Sequence, residues 1–120
     1  MAYDVELADR IRDVLETTDE LDVPTEVVEK QMFGGLGFLV GGHMAVAAGS
    51  RGDLMMRVDP ARAPELLARR HVEPMVMAGK EAEGWLRVAA EGCLEVDDLR
   101  QWVDVGLERV RQLPPKPPKG

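Results

Sequence analysis

The chain has 120 residues and a net charge of -7, a length that suits one domain whose core needs neither disulfide nor metal. One cysteine, Cys93, excludes an internal disulfide, and with two histidines it leaves no Cys/His cluster of metal-ligand spacing. The acidic balance, with an isoelectric point near 4.8, argues against direct nucleic-acid binding, which draws most of its affinity from a basic surface.

Acidity is concentrated at one end: over residues 1–29 acids outnumber bases ten to two, whereas thirteen bases face twelve acids in the remainder. MAYDVELADR lacks a charged-then-apolar leader, and no apolar run reaches bilayer length, so the expected location is the cytoplasm, without membrane contact.

In chain order, Leu7, Ala8, Ile11, Val14 and Leu15 recur at helical spacing, which predicts an amphipathic helix capped by Asp4 and ending near Thr18. DELDVPTE has no apolar period, and Pro24 holds its predecessor extended. From Val27 the period shortens. VVEKQMF, GFLV, HMAVAAG and DLMMRV read as four strands of a meander, with Gly41-Gly42 suited to a type I′ hairpin that sets Val40 opposite His43. Asp59-Pro60 opens a tight turn and then a short helix through PELLARR. PMVMAG and GWLRVAA follow as strands joined by a turn near Lys80 to Gly84, and a last helix runs from about Asp97 to Leu113. PPKPPKG closes the chain as an extended tail over 114–120, beyond a single domain at 1–113.

The stretch MFGGLGFLVGG invites a phosphate-loop reading. Its spacing fails both tests, since no third glycine follows Gly35-Leu36-Gly37 at the dinucleotide interval and no lysine follows as a P-loop requires. Strand, bend and hairpin fit it better.

KQMFGGLGFLVGGHMAVAA, DLMMRVDP, MVMAGK, GWLRV and the flanking helices, in that order over residues 3–113, resemble the N-terminal domain of the TfoX/Sxy competence regulators and their stand-alone relatives. The resemblance implies a two-layer α+β fold of the secretion-chaperone-like kind, an antiparallel sheet of about five to six strands with the N- and C-terminal helices on one face. It also implies a regulator of DNA-uptake genes, although the family's second, helical domain has no counterpart before Gly120. It supplies no catalytic residue.

Strict alternation from the Val40–His43 pair puts Leu36, Phe38, Val40, Ala45 and Ala47 on one face of the sheet and Leu39, Met44 and Val46 on the other. Both faces are then apolar, and the one away from the helices is expected to meet a protein partner or a second copy. Lys30, Arg57 and Arg87, beside Met32, Met55 and Trp85, form a basic patch for an acidic segment if their strands are suitably registered; otherwise they are solvated side chains on separate strands. The candidate binding residues are Met32, Phe33, Gly34, Gly35, Phe38, Arg57, Trp85 and Arg87. An alternative is a small-molecule or anion site, or a minor enzyme, in a crevice at Gly34 and Gly35. No catalytic residue, cofactor or metal is expected: acids surround Cys93, and His43, His71, Ser50 and Asp53 suit structural roles.

Overall fold

The computed structural model describes residues 3–18, 27–32, 34–77 and 79–114, with the backbone alone at Met32 and Met77. The Pro24 segment, Phe33 and the tail beyond Pro114 lie outside the described residues. Helix α1 spans Val5–Thr17 and buries the expected stripe of Leu7, Ala8, Ile11, Val14 and Leu15. Its first turn is closed by Asp4, whose carboxylate accepts the Leu7 N–H at 3.0 Å. Asp4→Ala is expected to cost about 1 kcal/mol, read as a lowered urea midpoint at unchanged slope.

Strands β1 (Val27–Met32), β2 (Gly35–Val40), β3 (His43–Ala48) and β4 (Leu54–Arg57) form the expected meander. At the β2–β3 turn Gly41 and Gly42 have φ of 61° and 85°, the left-handed pair that a type I′ hairpin demands, and Val40 does face His43. A 3-10 turn at Pro60–Arg62, capped by the Asp59 carboxylate, leads into helix α2 (Ala63–Leu67). The helix stops before the last residues of PELLARR, and the chain turns at His71 in the left-handed region (φ 70°) to enter β5 (Val72–Met77). Strand β6 (Lys80–Val88) begins earlier than its sequence suggests. Lys80 and Glu81 are already paired with Met77 and Val76, so the turn lies at Gly79, and the Lys80–Gly84 segment belongs to the strand. Helix α3 spans Val96–Gln112.

The six strands form one antiparallel sheet in the order β1-β2-β3-β4-β6-β5. Helix α3 packs across β3 and β4, α1 packs on α3 and β3, and α2 packs against β5 and β6, so the helices share one face. Between the layers lie Phe38, Val46, Met56, Leu54, Val88, Leu99 and Leu107, all essentially without solvent exposure. Burying such side chains contributes roughly 1.5–3 kcal/mol each. Trp102 joins this core and donates its indole N–H to the Gly92 carbonyl at 3.0 Å. At the β1 edge, Arg12 of α1 grips Glu29 through two bonds of 2.7 Å, and that hydrogen-bonded contact holds the Glu29 carboxyl below its ordinary pKa.

One expectation about the sheet is overturned. The β2–β3 register shifts after Phe38, which faces Val46, whereas Leu39 faces Met44, leaving Ala45 as the extra residue of a bulge. Strict alternation therefore fails. Val46 joins Leu36 and Phe38 on the helix-covered face, and Ala47, opposite Gly37, lies on the other.

Candidate functional site

The antiparallel register assembles the helix-free face row by row. Lys30, Gly37, Ala47, Met55, Arg87 and Glu73 lie side by side across the sheet, with Val28, Leu39, Met44, Arg57 and Trp85 in the adjoining positions. Leu39, Met44, Met55, Arg57, Trp85 and Arg87 are each partly exposed, and Val28 on the edge strand is 47% exposed. Gly37 explains part of this relief. A Cβ there would lie 2.5 Å from the Met44 sulfur, so the glycine is what lets that thioether lie flat across the strand. Ala47 is 2% exposed although no helix of the described residues covers it, and Met55 stands opposite it.

The basic residues of the face differ in state. Arg87 donates from Nε to Asp53 at 2.8 Å and forms a second ion pair with Glu73, which neutralises it. Lys30 is exposed, in the same row as Arg87 but across β2, β3 and β4, and four strand spacings put roughly 19 Å between them. Arg57 donates from Nε to the Met44 carbonyl at 2.8 Å, and its guanidinium carbon stands 4.6 Å from the centre of the Trp85 ring. Burial, reinforced by the charge of Arg109, pushes the Arg57 pKa below its ordinary value. Lys30, Arg57 and Arg87 thus share a face without making a continuous basic patch.

Among the other candidates, Phe38 is 0% exposed beneath the helices. It supports the site from below and cannot touch a partner. Met32 is placed by its backbone opposite Gly35, while Phe33 lies outside the described residues. Gly34 is exposed with φ 73° at the β1–β2 turn. Clefts of about 300, 500 and 170 Å³ lie beside α2 and β6, along α3, and at the start of α1, and none of these is lined by Gly34 or Gly35. Leu39 and Met44, which the sequence sets on the face expected to meet a partner, and Met55, read there beside Arg57, surround Arg57 and Trp85 on this face, although none of the three is among the nominated binding residues. Their signal was hydrophobic side chains at positions an ordinary one-sided sheet fills with polar ones.

The two histidines and Asp53 have structural work. His43 donates from Nε2 to the Pro114 carbonyl at 2.6 Å, and the His71 carbonyl accepts the Ala89 N–H at 2.8 Å. Asp53 also accepts the Arg51 N–H at 3.3 Å within its own turn. Cys93 is 1% exposed, and burial pushes its thiol pKa up to about 11 from an ordinary 9.0. A thiol so held is a poor nucleophile. The unfolded chain loses this proton first as pH rises through 9, so the folded state loses stability until the folded thiol titrates near 11, by about 2–3 kcal/mol in all. Over that pH window the urea midpoint of the wild type is expected to fall more steeply than that of Cys93→Ala.

A comparison with known protein families completes the site's context. The family model of the TfoX N-terminal domain matches residues 19–110 of the chain. The chain belongs to the TfoX N-terminal domain family. No curated protein and no solved structure matches it. The match takes in the whole sheet, α2 and nearly all of α3, and therefore every candidate residue from Met32 to Arg87. Helix α1 precedes it, yet seals the core of this TfoX N-terminal domain through Ile11 and Val14. Membership of this family suggests a regulatory module, and the family is not a known enzyme family. No helix of the described residues is long and apolar enough to cross a membrane.

Proposed function

We propose that this TfoX N-terminal domain is a non-enzymatic regulatory module of the cytoplasm that acts by contact with another protein through the helix-free face of its sheet. One observation carries the reading: Leu39, Met44, Met55 and Trp85 stand partly exposed together on a face that no helix of the described residues covers. Interface centres are enriched in methionine, aromatic residues and arginine, and this face presents all three. Thioethers also repack readily around a partner's side chains. Family membership supports a regulatory role, and the buried, proton-holding Cys93 removes the one thiol from consideration as a nucleophile.

Site-specific photo-crosslinking in living cells tests the proposal. A photoreactive residue at Leu39 or at Met55 is expected to give a discrete crosslinked product, whereas one at Asp13, on the exposed side of α1, gives none. Products whose mass differs from twice the chain, heavier or lighter, identify a different protein; a product at that mass identifies a homodimer through this face. Crosslinking at Asp13 alone would contradict the reading.

A further inference from the structure

The two arginines of the helix-free face pose a contrast. Arg87 is held by two carboxylates, Asp53 and Glu73, while Arg57 has no carboxylate among the described residues. Its surroundings nevertheless fix it. Nε is committed to the Met44 carbonyl, the guanidinium carbon stands over the Trp85 ring, and the terminal nitrogens have no acceptor among the described residues. A guanidinium held in this way keeps a planar fork of donors, and that fork matches the two oxygens of one carboxylate. The cost of immobilising a long side chain has been met before any ligand arrives.

Resting on the protein-contact reading above, we propose that Arg57, positioned by Met44 and Trp85, receives a glutamate or aspartate side chain of the partner, presented between aliphatic residues that cover Leu39, Met44 and Met55. Charge complementarity selects this occupant. Burial without a counter-charge, with Arg109 adding repulsion, leaves Arg57 a cation that an incoming carboxylate would stabilise. A nucleic-acid backbone needs a run of cations, but the chain carries a net charge of -7 and Arg87 is already neutralised. A second copy docked face to face would set Arg57 against a surface whose carboxylates Asp53 and Glu73 are taken by Arg87.

The test is an NMR titration of the full chain with a blocked pentapeptide that carries one glutamate between pairs of leucines, and with its glutamine counterpart. The glutamate peptide is expected to bind about tenfold more tightly, the worth of one charge-assisted fork. Its binding shifts the Arg57 Nε and Trp85 indole resonances. Arg57→Gln is expected to erase the difference between the peptides, and Arg57→Lys to restore only part of it. Equal affinity of both peptides for this face would overturn the carboxylate inference while leaving the protein-contact reading intact. Discrimination that survives in Arg57→Gln would overturn it too, because the carboxylate is then read elsewhere. Acetate alone producing the same shifts at the same concentration would replace a partner segment by a free small acid. Binding of neither peptide up to millimolar concentration also overturns it, and the crosslinking experiment then decides the broader reading independently.

Discussion

Phe38→Ala is expected to destabilise the fold by about 3–5 kcal/mol, the range for deleting a buried phenyl ring, whereas Leu39→Ala next to it costs about 1 kcal/mol or less. Their different surroundings set the contrast. Phe38 is 0% exposed between β2 and the helices, facing Val46, while Leu39 lies partly exposed on the helix-free face opposite Met44. Chemical denaturation of the two variants measures the difference directly. Comparable losses would mean that the bulge is misplaced and that both faces are buried. A charged substitution at Phe38 would therefore unfold the protein and reveal nothing about association, whereas changes at Leu39 or Met55 probe the surface while sparing the core.

Gly106→Ala is expected to lower stability by about 2 kcal/mol, although alanine favours a helix interior over glycine by about 1 kcal/mol. Gly106 lies where α3 crosses β3, and a Cβ there would come 2.5 Å from the Ala45 carbonyl oxygen and 3.0 Å from a Val46 methyl. The nearer obstacle is backbone, in the bulged residue of a central strand. A flexible side chain could swing away; this carbonyl cannot move without shifting the strand or the helix. The packing term thus outweighs propensity. Thermal unfolding settles the sign, since a stabilised variant would require a wider separation between α3 and β3.

Much of this architecture was legible because the relevant patterns are local. The stripe of α1, the Asp4 cap, the Gly41-Gly42 hairpin and the Asp59-Pro60 turn each occupy a few neighbouring residues, and each formed where the sequence placed it. What escaped depends on distant partners. HMAVAA is apolar at nearly every position, so alternation had no polar residue to reveal that Ala45 is bulged and that Val46 and Ala47 exchange faces. The sequence placed the turn between the last strands near Lys80 to Gly84, where Gly84 stands, whereas the pairing of Lys80 with Met77 moves it back to Gly79. Nothing local announced that β6 inserts between β4 and β5.

The candidate site was partly legible for the same reason. Arg57 and Trp85 could be nominated from their own segments, but their stacking follows from the β4–β6 register. Arg87 looked equivalent to Arg57 in sequence. Its neutralisation depends on Asp53 and Glu73, which the fold brings from β4's approach and from the edge strand β5. The glycines that suggested a phosphate loop were informative in another way: Gly37 makes room for Met44 on the face proposed for partner contact.

Methionine footprinting tests that face most directly. Met44 and Met55 are partly exposed, whereas Met56 is 0% exposed on the opposite side of the sheet, so hydroxyl radicals should oxidise the first two and spare the third in dilute purified protein. If the helix-free face meets a protein partner, oxidation of Met44 and Met55 falls several-fold inside living cells while exposed Leu94 is labelled as before. Unchanged oxidation of both methionines in cells, relative to Leu94, would contradict the account.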